Sequence, residues 1–286
     1  MFLFLETGKC IHMLTRITYT HTRAQIHSYI SRPYELENIS WIAQQLENLC
    51  VYGIQCFPTP TDLLFAAHKH RYMNWLLRSN IPIIPTTFID PRDPNMISAI
   101  KSLCSKTKTI LNHVYLKRGL SECANCVWKV KTNPKEIGTI INNNTHPNKK
   151  TFWFIQPPIK ELEDGAELKL YFTTGATFAF GFAQSHTGEK SVYDFEELRI
   201  DSENWQRYQV DAAISFASMV YQVIVTKAPS LGVAMRIDLA VTETGFLVNE
   251  IEHFGNMWLL TQQSNIGCEQ LGKVVNSVYR YLIKRM

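Results

Sequence analysis

The sequence predicts an α+β chain in which helices and short antiparallel strands are intermingled. Three observations lead there. Apolar residues recur at helical spacing in several stretches, as at Ile39, Ile42, Leu46 and Leu49. Two segments, 167–184 and 235–253, read as strand–turn–strand. No internal repeat interrupts this mixture.

In chain order, a helix is predicted over about Pro33–Leu49, followed by a strand-like Val51–Ile54. The Pro- and Thr-rich 57–62 loop opens a helix running to about Ser79, with Thr61 or Asp62 as its cap. Asn80–Thr86 ends that helix and leads into a strand at Thr86–Ile89. A helix over Pro94–Ser105, a strand over Thr109–Lys117, a loop, and a strand over Cys126–Thr132 follow. Pro134–Asn142 reads as a short helix, and the polar 142–150 run reads as a loop. Phe152–Gln156 is a buried strand stopped by Pro157 and Pro158, which have no N–H for a ladder. The hairpin 167–173/177–184 turns at Thr174–Ala176, a long helix covers Glu203–Lys227, and a last helix covers Glu269–Lys284.

Composition bounds the function. The chain has 286 residues, 45% apolar, with a net charge of +4. This is globular and mildly basic; the charge fits a small anionic ligand as well as weak nucleic-acid contact and demands neither, and nucleic acid is not among the expected partners. No run reaches the roughly 18–20 apolar residues of a membrane span. Seven cysteines at irregular spacing argue against a disulfide framework, so a reduced, cytoplasmic setting is expected. Cys123 and Cys126 form a Cys-x-x-Cys, but no second ligand pair stands at convincing spacing for zinc.

The most informative segment is Met235–Asn256. With Glu243, Thr244 and Gly245 as a three-residue loop and Gly245 in the αL position, Thr242 would face Phe246, Asp238 would face Glu250, and Arg236 would face Glu252. Ile237, Leu239, Val241, Leu247 and Ile251 then form a core face. Arg236, Asp238, Glu250 and Glu252 fall on the other face. Three carboxylates and a guanidinium in one patch read either as a solvated charged face or as a site where a divalent cation holds phosphates.

Four pieces in order over about residues 57–258 resemble the ATP-grasp superfamily, ligases that join a carboxylate to an amine or thiol through an acyl-phosphate, with some kinases. HKHRYMNWLLRSNIPIIP, from His68 to Pro85, resembles the helix that opens with Asp-Lys, with His68 in place of the usual Asp. Val114–Lys117 resembles the strand ending in the second nucleotide lysine. The loop after it departs from the family, having one glycine where several cover the phosphates. Phe154–Ile159 resembles the adenine hinge, and Arg236-Ile-Asp238 with Glu250 resembles the metal-binding hairpin. Position 252, usually Asn, is Glu252.

The resemblance implies an ATP-grasp fold of two α+β lobes clasping nucleotide, at about 67–155 and 156–286. A short α/β substrate-side domain at 1–66 would precede them. It implies ATP and Mg²⁺, with Mn²⁺ as an alternative. Lys69, Lys117 and Lys169 would bind phosphates, Gln156 C=O and Ile159 N–H the adenine, and Glu167 the ribose. Asp238, Glu250 and Glu252 would hold the metal, and Arg236 would serve catalysis, with Asn256 near substrate. The implied partners are small-molecule or peptide carboxylate and amine substrates. A kinase on the same fold, or a binding module without turnover, are the alternatives.

Overall fold

The computed structural model describes residues 3–5, 36–52, 55–89, 95–119, 127–145, 152–164, 166–186, 193–253 and 268–283. The expectations for Asn256, Cys123, Cys126 and most of the 1–66 domain lie outside the described residues.

Strand β1 (Leu3–Leu5) pairs antiparallel with β2 (Gln55–Phe57), and α1 (Leu36–Val51) lies between them in sequence. Val51 is thus the last residue of a helix rather than the start of a strand. The helix expected over 62–79 is two helices, α2 (Pro60–Ala67) and α3 (Lys69–Arg78). His68 breaks them with an extended backbone, and its N–H still bonds Leu64 O. The cap is Thr59, whose side chain accepts from Asp62 N, with Pro60 at the first helical position. Proline there loses no helical bond, so the cap moves one step N-terminal to it.

A four-stranded antiparallel sheet of order β3-β6-β4-β5 follows: β3 (Thr87–Ile89), β4 (His113–Arg118), β5 (Val127–Lys131) and β6 (Trp153–Gln156). One face carries Ile89, Val114, Leu116, Val130, Trp153 and Ile155 against α4 (Met96–Thr107) and α5 (Pro134–Asn144). Lys117 is paired with Phe154, and Tyr115 with Gln156, so these four residues share the opposite face.

The second sheet has order β11-β10-β7-β8-β9, all antiparallel, from β7 (Ala166–Thr173), β8 (Thr177–His186), β9 (Tyr193–Glu197), β10 (Ala234–Thr242) and β11 (Gly245–His253). The short helix α6 (Lys160–Asp164) leads into it. Leu168, Leu170, Phe172, Ile237, Leu239 and Ile251 pack on its core face. There α8 (Val210–Lys227) lays down Val210, Ala213, Ala217, Val220, Tyr221 and Ile224 at helical spacing. A separate turn, α7 (Glu203–Arg207), precedes α8, so the long helix expected over 203–227 is broken at Gln209, whose φ is +50°. A 3₁₀ turn, Pro229–Val233, connects α8 to β10. Tyr72, Met73, Leu76, Ile81 and Ile83 join this same core, and Val248 exchanges backbone bonds with Pro82 and Ile84. The opposite face of the sheet is charged at one end. At the other, α9 (Cys268–Ile283) covers it with Val274 and Val278 over Tyr171, Phe180 and Phe182.

Candidate nucleotide and phosphate site

The β10–β11 hairpin fulfils two of the three expected pairings and corrects the third. Arg236 faces Glu252 and Asp238 faces Glu250. Thr242, however, pairs with Gly245, so only Glu243 and Thr244 span the turn. Gly245 has φ +129°, positive but outside the αL well. The register is restored by a bulge: Leu239 pairs with Val248 while Asp238 pairs with Glu250, leaving Asn249 extra. The bulge changes which residues reach the core. Val248 is buried there in place of the expected Leu247. It also puts two successive polar residues, Asn249 and Glu250, in contact with site groups. Asn249 Nδ2 donates to Glu167, and Glu250 pairs with Lys69.

Alternation along β7 sends Glu167, Lys169 and Tyr171 to that same face, opposite Ala240, Asp238 and Arg236. Lys169 Nζ donates to Glu167 Oε2 at 2.6 Å and to Asp238 Oδ2 at 2.8 Å. Arg236 binds Asp238 in bidentate fashion, Nε to Oδ1 at 2.7 Å and Nη2 to Oδ2 at 2.8 Å, with Glu252 Oε1 at 3.8 Å. Asp238 is fully buried. Burial alone would raise its pKa, but Arg236 and Lys169 outweigh that and hold it below the ordinary carboxylate range. Burial likewise opposes ionised Glu250, and Lys69 overcomes it. The lysines respond in kind. Burial opposes charge on both, yet Glu250 and Glu252 raise the pKa of Lys69, and Asp238 and Glu167 raise that of Lys169.

Lys117 comes from the other sheet and behaves differently. Burial, reinforced by the charge of Lys69, lowers its pKa to about 8, and Glu250 and Glu167 compensate only in part. Lys69, Glu250 and Glu167 are thus the charged neighbours of Lys117, and through them it joins the group of Lys169, Arg236, Asp238 and Glu252. Of the expected metal ligands, Asp238 and Glu250 face each other across the ladder, and Glu252 lies beside Arg236. Among the described residues no three His, Cys, Asp or Glu side chains form a metal-ready cluster, because each acid is turned toward a cation.

The hinge sits at the other end of β6. Gln156 is buried, and its Nε2 donates to Thr86 Oγ1 at 2.8 Å. Thr86 Oγ1 spends its own proton on Ile84 O, so it can only accept from Gln156, which fixes the amide orientation. Gln156 Oε1 is then a buried acceptor with no hydrogen-bond partner. Ile159 is half-buried, and its carbonyl accepts from Leu162 and Glu163 to start α6. Glu163 in turn accepts from Tyr115 Oη and pairs with Lys129, each at 2.6 Å, which ties α6 to the first sheet. Sequence reasoning noted Asn249 only as the residue preceding Glu250 and missed Glu163. An Asn beside an acidic strand position was the only signal for the first, and the second depends on a helix too short to show periodicity.

His68, at the head of α3, is buried with Nδ1 unpartnered and makes no side-chain cap to that helix. Burial, with Arg71 and His70 adding to it, lowers its pKa to about 4, so it is neutral beside Lys69.

No protein-family model and no curated protein matches the chain. Solved structures do. The ATP complex of D-alanine–D-alanine ligase from Bacillus anthracis superposes with a TM-score of 0.59 at 12% identity, covering 84% of this chain and 76% of that one. D-cycloserine synthetase DcsG gives 0.54 at 17% identity, covering 76% and 73%. A RimK domain ATP-grasp protein from Sphaerobacter thermophilus gives 0.51 at 14%, covering 77% and 70%. The chain has the ATP-grasp fold.

Proposed function

We propose that this chain is an ATP- and Mg²⁺-dependent ligase joining a carboxylate to an amine through an acyl-phosphate, with release of ADP. The observation that supports the reading best is the interleaving of four cations and four carboxylates in an ATP-grasp fold. The structural neighbours named as ligases lend the reaction class.

In this reading Gln156 and Ile159 take the adenine. The orphaned Gln156 Oε1 is an acceptor suited to an exocyclic amino group, alongside the Gln156 carbonyl and Ile159 N–H. Glu167, steadied by Asn249, takes the ribose hydroxyls. Lys69, Lys117 and Lys169 take the phosphates, where fixed cations offset charge that is already present and charge that develops during transfer. Asp238, Glu250 and Glu252 are oxygen donors of the kind Mg²⁺ accepts, and they would hold it once Lys69 and Lys169 turn to the phosphates. A metal bound there would polarise the phosphoryl oxygens. Arg236, clamped by Asp238, presents a fixed guanidinium to the transferred group. Small-molecule or peptide carboxylates and amines are the substrates we propose, and the cytoplasm the setting. Among the described residues no helix is long and apolar enough to cross a membrane.

The test is a thermal-shift titration with MgATP, wild type beside Glu250→Ala. Ligand at ~100 times its dissociation constant adds about 2.7 kcal/mol. A magnesium-dependent rise in wild type, lost in the variant, supports the reading and is followed by screening acids and amines for ADP release. No rise in either protein would sink it.

A further inference from the structure

We propose that the Tyr171 hydroxyl is a second donor, beside Arg236, to the phosphoryl group as it passes from ATP to the carboxylate; this rests on the ligase reading above. Strand β7 sets out Glu167, Lys169 and Tyr171 on one face in steps of two residues, each roughly 6.8 Å. With Glu167 at the ribose and Lys169 at the phosphates, the next step along the strand reaches the distal end of the phosphate chain. Tyr171 occupies that step and is paired across the ladder with Arg236.

Its ring is held from several sides. It stacks on Phe180, with centroids 4.3 Å apart and planes at 19°, and meets Phe182 edge-on at 5.9 Å. Val274 and Val278 of α9 close the same cluster. The hydroxyl is the exception to this packing. Tyr171 is 1% exposed, and its buried Oη lies against the Arg236 guanidinium with no acceptor for its own proton. Phenylalanine would fill the same space without stranding a polar atom, so in the free protein the hydroxyl is a cost. A buried O–H with no acceptor, next to a guanidinium, is what a site keeps for an anion. Arg236 is occupied on its Nε and Nη2 side by Asp238, with Glu252 near Nη2, so its plane is fixed beside the phenol. Burial keeps the phenol protonated, with a pKa pushed up to about 12, so it is a donor at neutral pH.

In the step itself, a carboxylate oxygen forms a bond to the γ-phosphorus as the bond to the bridging oxygen breaks. ADP leaves with the electron pair. Tyr171 donates a hydrogen bond to a non-bridging phosphoryl oxygen and keeps its proton.

The probe is MgADP with and without aluminium fluoride, which stands in for the phosphoryl group in flight. Tyr171→Phe should melt at or above the wild-type temperature and bind MgADP within about twofold of wild type. It should lose at least tenfold of the affinity that aluminium fluoride adds in wild type. Phe180→Leu, which loosens the stack but keeps the hydroxyl, should retain that gain within about threefold. An equal gain in wild type and Tyr171→Phe overturns the proposal, as does an equal loss in both variants, or a Tyr171→Phe loss already present with MgADP alone. Wild type that binds MgADP without any gain also overturns it. Wild type that fails to bind MgADP at all sinks the ligase reading first, and this inference with it.

Discussion

Lys117 is half-buried beside Lys69 with too few acids to compensate, and its pKa of about 8 has two consequences of opposite sign. In the free protein the folded pKa lies below the ordinary lysine value. Keeping the proton therefore works against folding below pH 8, and that penalty is relieved as pH rises from 8 toward the unfolded value. For a phosphate ligand the sign reverses, since the anion favours the charged amine and binding draws a proton onto Lys117. MgATP affinity should be flat below pH 8 and weaken roughly tenfold for one pH unit above it. Calorimetric titration at pH 7, 8 and 9 checks this. Lys117→Arg, which holds its charge throughout, should flatten the profile, and an unchanged slope would assign the titration to another group. Lys69 makes a second prediction. It is the ion-pair partner of Glu250, so Lys69→Met leaves a largely buried carboxylate uncompensated and should cost about 3 kcal/mol. Mn²⁺ alone should then restore stability to the variant by more than it adds to wild type, because the metal takes up a vacated charge. A smaller metal-induced rise in the melting temperature of the variant would show that Glu250 is not a metal ligand.

The bulge in β11 shows how one inserted residue builds part of the site. Without Asn249 the strand would alternate cleanly from Val248 in the core to Glu250 in the site, and Glu167 would lose its amide donor. Asn249→Ala should therefore keep the β10–β11 hairpin but leave Glu167 held by Lys169 alone, costing about 1.5–3 kcal/mol in urea unfolding for a hydrogen bond to a charged group. It should also weaken ATP relative to inorganic triphosphate, since the change falls at the ribose. Equal weakening of both ligands would place Asn249 at the phosphates. This same bulge marks the limit of what could be read in advance. The facing of Asp238 with Glu250 and of Arg236 with Glu252 was legible because both depend on period-two alternation near the middle of two apolar strands. The turn was not, because a shorter loop and a compensating bulge reach the same central register as a three-residue loop. Short elements were opaque for a related reason. The break at His68 and the αL residue Gln209 interrupt helices whose apolar pattern runs on regardless, and α6, five residues long, shows no period at all. Lysines 69, 117 and 169 were singled out only through a family motif order, since a single lysine near a strand or helix end carries no signal of its own.

At the scale of the molecule, the site depends on segments distant in sequence meeting in fixed positions. The start of α2 is tied to the turn before β10 by a buried polar knot. Asp62 Oδ2 accepts from Ser230 N at 2.8 Å and from Ser230 Oγ at 2.7 Å, and Ser230 Oγ accepts from Thr59 N at 3.0 Å. These residues are 168 and more apart in the chain, and the knot lies where α2 and α3 dock on the second sheet's core. Asp62→Ala strands two buried donors and should cost about 2–3 kcal/mol. Because the knot lies away from the charged face, the loss should appear as destabilisation with modest change in MgATP affinity when binding is measured well below the melting temperature. If Asp62→Ala instead removes MgATP binding while the protein remains folded, the knot holds Lys69 in register rather than merely holding the fold. In that case the double variant Asp62→Ala/Lys69→Met should bind no worse than either single one, because a lysine already out of register has nothing further to lose.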